Sequence, residues 1–227
     1  MIAIDKFRGA IFDLDGTLAD SMNLWDHLCR DWLLTQGKEA PADLEETLAP
    51  LTVTQAAEYV SKNFTPGIGP AEIAAQWEAL VIGRYRETVP LKDGAVELLD
   101  ALARRGLKLA LATSCFPAAA EAFLQGRKIR HYFSSLFFTD DASSGVSMDA
   151  GGNTPVKADP VFWRACAEKM GLPADKIIVF EDIYEALAGV RQLGMGFVAV
   201  YDASCKKWDA LQKEADQAIR SFREFQG

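Results

Sequence analysis

Asp13 and Asp15 stand either side of Leu14 at the end of an apolar run, Ala10-Ile11-Phe12, and Gly16 follows them. In an extended chain residues i and i+2 point the same way, so both carboxylates can face one pocket just past a strand's end. Gly16 permits the sharp backbone departure that such a crossing needs. Carboxylates this close repel each other and require a cation beside them. Hard oxygen ligands of this kind suit Mg²⁺, which keeps waters and recruits phosphate oxygens.

Further polar groups fall at comparable places. Thr113-Ser114 closes the apolar run Leu109-Ala110-Leu111-Ala112. A hydroxyl there, with neighbouring backbone N–H groups, holds a phosphate oxygen without adding charge. The competing role for Thr113 is to cap the helix that starts near Pro117. Lys157 precedes a helix beginning near Asp159, an end where the helix dipole favours anions, so its charge does not serve the helix. A carboxylate nucleophile approaching a phosphate dianion does need such a charge. Glu181-Asp182 directly follows the run Lys176-Ile177-Ile178-Val179-Phe180. The competing reading is an ordinary acidic pair at a helix amino terminus.

The elements that must position these groups alternate. Unbroken apolar runs read as strands buried on both faces, and strand-helix alternation reads as a parallel sheet. From Leu91 onward the pattern gives helix 94–105, strand 107–113, helix 118–125, strand 136–139, helix 159–170, strand 176–180, helix 184–192, strand 196–200, and a last helix from near Lys206. Between the first strand and Val89 only helices are expected: about 21–36 capped by Ser21, 43–49, a third capped by Thr52 or Thr54 through Asn63, and 71–88. The last of these spaces Ile73, Trp77, Leu80, Val81 and Tyr85 as an apolar stripe. The Ser-, Gly- and Asp-rich stretch from Asp140 to Asn153 reads as a surface loop.

Composition narrows the partners. A net charge of −8 argues against a nucleic-acid or anionic-membrane partner, each of which needs a basic face. An anionic small molecule remains compatible, because a local cation reverses the sign inside one pocket. Met1 to Arg8 holds no long apolar run, and nothing later approaches the roughly 20 apolar residues of a membrane span. Cys29, Cys115, Cys166 and Cys205 are scattered without Cys-x-x-Cys spacing, which reads as reduced thiols in a cytoplasmic protein. Cys115 has no neighbouring base and reads as a packed residue. His27 and His131 leave little room for histidine-centred catalysis, and His27 reads as a surface residue.

Asp13-Leu14-Asp15-Gly16-Thr17-Leu18 resembles the first motif of the haloacid dehalogenase-like phosphatases. Thr113, the segment around Lys157 and Val179-Phe180-Glu181-Asp182 follow in the order of that family's other motifs. The resemblance implies that Asp13 is the nucleophile, forming an aspartyl-phosphate, and that Asp15 is the general acid/base. It implies Mg²⁺ held by Asp13, the Asp15 backbone carbonyl and Asp182, with Glu181 a further ligand or a partner of its waters. Thr113, Ser114 and Lys157 would hold the phosphate. Departures from the family pattern are Ala158 for the usual Pro, Val161 for an acidic residue, and Ile183 and Ala186 after the acidic pair.

The implied fold is an α/β doubly wound, Rossmann-like parallel sheet spanning 1–20 and 90–227, with a helical cap domain, 21–89, as a lid over the pocket. The implied function is Mg²⁺-dependent hydrolysis of a small phosphorylated metabolite, a sugar or polyol phosphate, by a monomer. Asp15 separates the chain from the family's dehalogenases and phosphonoacetaldehyde hydrolases, which lack a carboxylate there. The nearest competing reaction is β-phosphoglucomutase-like phosphoryl transfer. Those enzymes usually carry Val and His where Thr17 and Trp25 stand here. A non-catalytic phosphometabolite-binding protein is the alternative of another class, supported only by the departures at Ala158, Val161 and Ala186. Trp25, Lys38, Tyr85 and Arg86 are the candidates for contact with the leaving group.

Overall fold

Ala10, Ile11 and Phe12 are all fully buried, and they lie in the middle of the sheet. The computed structural model describes residues 2–48, 51, 53–139 and 157–225. Strands β1 (Gly9–Phe12), β2 (Lys108–Thr113), β3 (Phe133–Phe138), β4 (Ile177–Glu181), β5 (Gly196–Val200) and β6 (Gln217–Ile219) form one sheet. Its order is β3-β2-β1-β4-β5-β6, parallel throughout. This is the expected doubly wound α/β arrangement.

The pleat explains why the central strands read as unbroken apolar runs. Ala10, Phe12, Leu109, Leu111, Ile178 and Phe180 pack into one core, and Ile11, Ala110, Ala112, Ile177 and Val179 into the other. Alternate side chains go to opposite faces and neither face meets water. Helices α5 (Ala95–Arg104) and α6 (Pro117–Gly126) cover the first face. Helices α7 (Pro160–Met170), α8 (Tyr184–Gln192) and α9 (Trp208–Glu214) cover the second.

Between β1 and α5 the described residues contain helices α1 (Met22–Thr35), α2 (Leu44–Leu48), α3 (Val53–Asn63) and α4 (Pro70–Glu87), and no strand. Helix α4 buries Ile73, Trp77, Val81 and Tyr85 at fourfold spacing. Leu80, counted on that stripe from the sequence, is 39% exposed, because it is turned about 100° from Val81 around the helix. The two links between these helices and the sheet are stitched together: Asp20 N–H donates to Pro90 O at 3.0 Å and Lys92 N–H to Leu18 O at 2.9 Å.

Some local expectations change. Ser21 precedes α1, but its hydroxyl makes no capping bond. Thr54 lies inside α3, and Thr52 lies outside the described residues, as do Ala49 and the loop expected over Asp140 to Asn153. Strand β3 starts at Phe133, ahead of Ser134 and Ser135, whose polarity hid it. Ser134 Oγ donates to Leu109 O at 3.1 Å, which an edge strand allows. Strand β6 was not expected at all, and the last helix starts at Trp208.

Candidate active site

Asp13 leaves β1 beside the end of β4, with its N–H donating to Phe180 O at 3.0 Å. Glu181 is the last residue of β4 and Asp182 the next. The carboxylates of Asp13, Glu181 and Asp182 therefore converge where β1 and β4 part, each offering an oxygen within 4.8 Å of the others. This is the switch point of the sheet, where the chain order reverses and a crevice opens at the strands' carboxyl ends. All three groups are buried.

Lys157 enters the same crevice from the start of α7. Its ammonium pairs with Asp13 Oδ1 and lies 2.9 Å from Glu181 Oε2. Trp163 Nε1 donates to Lys157 O at 2.6 Å and fixes the backbone. Asp159 caps α7 by accepting from Val161 N at 2.8 Å. Gly189 of α8 makes room, since a Cβ there would stand 2.9 Å from Ala158 O and 3.0 Å from Lys157 O. Across the crevice Thr17 Oγ1 donates to Asp182 Oδ1 at 3.0 Å. Gly16 has φ +79°, and a Cβ on it would collide with the Asp182 carboxylate. That position demands glycine on both grounds.

The electrostatics describe a shortage of positive charge. Burial, then the Glu181 charge, pushes Asp13 up to about 7 in spite of Lys157. Burial and the charge of Asp13 push Asp182 well above the carboxylate range. Burial opposes the Lys157 charge, but Asp13 and Glu181 outweigh it and keep the ammonium ionised. Asp13 Oδ2 and Glu181 Oε1 are buried with no hydrogen-bond partner among the described residues. Orphaned anionic oxygens beside a third carboxylate fit a divalent cation with a preference for oxygen ligands.

Asp15 stands apart from this cluster. Its Oδ1 accepts from Ser21 Oγ at 2.6 Å, from Trp25 Nε1 at 2.9 Å and from the Tyr85 hydroxyl. Its carboxylate is not among the acidic oxygens that converge. Burial and the Asp13 charge raise its pKa, while the Ser21, Tyr85 and Trp25 bonds work against them. Thr113 ends β2, and Leu111 pairs with Phe12, so Thr113 lies at the same end of the sheet as Asp13. Its Oγ1 accepts from Cys115 N at 3.0 Å, whereas the residue capping α6 is Phe116. Ser114 is exposed beside it. The Cys115 thiol is buried and held well above its usual pKa by burial and the Asp15 charge, as expected of a packed residue.

Of the four candidates for leaving-group contact, the structure brings Trp25 and Tyr85 to Asp15. Lys38 and Arg86 are exposed, and neither is among the partners of Asp15. Sequence reasoning missed Thr17 as a partner of Asp182 and misread Ser21 as a helix cap. The signal for Thr17 was a hydroxyl inside a tight turn between two acidic residues and an apolar Leu18. Ser21 carried no signal, because a capping serine and one bonded to a carboxylate look the same in sequence.

A doubly wound sheet with an acidic, lysine-bearing crevice at its switch point is the framework of an α/β enzyme. A family model described as haloacid dehalogenase-like hydrolase matches residues 7–194, and the chain belongs to that family. It is 30% identical over 197 residues to hexitol phosphatase A of Escherichia coli, covering 86% of this chain and 83% of that protein. It is 28% identical over 204 residues to protein CbbY of Rhodobacter capsulatus, covering 85% of each. Its fold is similar to the crystal structure of CbbY from Rhodobacter sphaeroides in complex with phosphate. The TM-score there is 0.77 at 18% identity, over 96% of both chains.

Proposed function

We propose that this hydrolase is a Mg²⁺-dependent phosphomonoesterase for a small sugar or polyol phosphate. The observation that carries the reading is Lys157 paired with Asp13 beside buried carboxylate oxygens that have no hydrogen-bond partner among the described residues. An ammonium next to a carboxylate nucleophile offsets the repulsion of an incoming phosphate dianion. The similarity to a hexitol phosphatase favours a polyol or sugar leaving group.

Asp13 attacks phosphorus in line, the bond from phosphorus to the ester oxygen breaks, and an aspartyl-phosphate forms. Asp15 gives its proton to the departing alkoxide, then takes one from the water that releases phosphate. Lys157, Thr113 and Ser114 hold the non-bridging oxygens. Asp13, Asp182 and the Asp15 carbonyl, with Glu181 as a further ligand or a partner of bound water, would hold Mg²⁺. When bound, the ion offsets the charge that builds on the phosphoryl oxygens. Trp25 donates a hydrogen bond to Asp15 where phosphoglucomutases usually carry a histidine, which favours hydrolysis over transfer.

In this reading residues 1–20 and 90–227 form the catalytic core and 21–89 the helical cap. No described helix is long and apolar enough to cross a membrane. The net charge of −8 argues against a nucleic-acid partner and the scattered free cysteines suit a cytoplasmic protein, which in this reading acts as a monomer. The test is phosphate release from a panel of phosphorylated sugars and polyols with Mg²⁺, using wild type and Asp13→Asn. Turnover that persists above about a tenth of wild type in Asp13→Asn would overturn the reading, as would release from no member of the panel.

A further inference from the structure

Three donors converge on a single oxygen of Asp15. Ser21 Oγ at 2.6 Å, Trp25 Nε1 at 2.9 Å and the Tyr85 hydroxyl all bond to Oδ1. The Trp25 N–H is shared with the Tyr85 oxygen at 2.8 Å, so the two rings are tied to each other as well. They come from opposite ends of the helical insert, Trp25 from the first turn of α1 and Tyr85 from the last of α4. Both rings are braced on the sheet side by α6 and the residue before it. Tyr85 meets Phe123 edge-on at 5.6 Å, and Trp25 stacks on Phe116 at 6.1 Å. The Tyr85 ring is fully buried. Its hydroxyl accepts from Trp25 Nε1 and donates to Asp15 Oδ1.

A carboxylate oxygen has two lone-pair sites, and here three N–H or O–H groups crowd one oxygen. No room is left on Oδ1 for a leaving group. We infer that Tyr85 and Trp25 are positioning residues for Asp15: by filling Oδ1 from the insert they set the carboxylate plane and leave Oδ2 to serve the ester oxygen. This inference rests on the phosphatase reading above. In the step concerned, the bond from phosphorus to Asp13 forms and the bond from phosphorus to the ester oxygen breaks. The Oδ2 proton goes to that oxygen, with Asp15 left as the anion that Tyr85 and Trp25 already face.

The leaving group supplies a readout that a merely structural role would not move. A nitrophenolate departs with little help from an acid, whereas a phenolate needs more of it. The value of kcat/KM covers only the steps through formation of the aspartyl-phosphate, so the later role of Asp15 as a base does not mask the difference. The full-length chain is assayed with Mg²⁺ on p-nitrophenyl phosphate and on phenyl phosphate, as wild type, Tyr85→Phe and Trp25→Phe. Loss of one hydrogen bond to a charged group predicts a fall of about 10- to 100-fold for phenyl phosphate. For p-nitrophenyl phosphate the fall is under about threefold, since acid catalysis contributes little there. Trp25→Phe keeps an aromatic ring facing Phe116 and removes the donor with part of the indole, so it carries the test if Tyr85→Phe does not fold. Equal losses on both substrates, or none on either, overturn the positioning role while wild-type turnover leaves the phosphatase reading standing. A wild type that releases phosphate from neither of these esters nor any phosphorylated sugar or polyol of the panel brings down that reading itself, and the positioning role with it.

Discussion

Replacing Lys157 by Met keeps most of the stem and removes the charge that Asp13 and Glu181 share. The side chains of Lys157, Asp13 and Glu181 are only 6%, 5% and 1% exposed, so solvent does little to screen what remains. Removing one partner of a buried, hydrogen-bonded ion pair costs about 3–5 kcal/mol, because the other charge stays buried without compensation. At about 2–4 °C per kcal/mol for a chain of this length, the metal-free variant should melt roughly 10 °C below wild type. The loss should also grow with pH. Native Asp13 titrates at about 7 against an ordinary 3.8, so the native state holds the extra proton between those values. Its contribution to stability is full below the unfolded value and is lost as pH rises through 7. Without Lys157 the Asp13 carboxyl keeps its proton to higher pH. The gap between variant and wild type is therefore smaller at acid pH, where Asp13 is neutral in both, than above its native value. Thermal and urea unfolding in chelator on either side of neutrality measure this directly. A midpoint within about 2 °C of wild type on the alkaline side, or a gap that widens toward acid, would refute the reasoning.

Gly16→Ala forces a side chain into φ +79° and against the Asp182 carboxylate. The backbone strain is worth about 1–2 kcal/mol, but the Mg²⁺ concentration for half-maximal activity should rise sharply; an unchanged metal requirement would contradict the placement of Asp182. Asp202 tests electrostatics away from the crevice, bonded to Lys92 Nζ at 2.8 Å, Ser204 N at 2.9 Å and Ser204 Oγ at 2.7 Å. Burial pushes this carboxyl up, yet Lys92 and Ser204 outweigh it and hold it below the usual range. That contribution is present above the unfolded pKa and lost as pH falls through the folded one, so Asp202→Asn should flatten the acid limb of a stability-against-pH curve. Identical acid limbs in the two proteins would show that the pair adds nothing.

The carboxylates that converge on the crevice were legible because they end or directly follow strands that are buried on both faces. An unbroken run such as Ile177-Ile178-Val179-Phe180 has one good solution, a central parallel strand, and whatever follows it lies at the carboxyl edge of the sheet. Helix α8 and strand β5 begin and end where their apolar pattern does, at Tyr184–Gln192 and Gly196–Val200. Strand β6 was hidden because it is three residues long at the sheet's edge, with Gln217 and Ala218 half-buried and only Ile219 buried. They owe their conformation to pairing with β5 and not to any pattern of their own.

Long-range partners were hidden for a related reason. Lys157 and Asp13 are 144 residues apart, and Tyr85 and Asp15 are 70 apart. Periodicity says that Tyr85 lies on the buried stripe of α4, but not that its hydroxyl ends at an acid. Ser21 shows the limit most plainly. Its position before α1 was readable, but its hydroxyl turns from the helix to Asp15 Oδ1. Apolar periodicity is a property of local backbone geometry, so the sequence alone showed which face of α4 and which central strands are buried. Which of two polar partners a buried hydroxyl meets depends on how the insert seats on the sheet, and only the tertiary structure decides that.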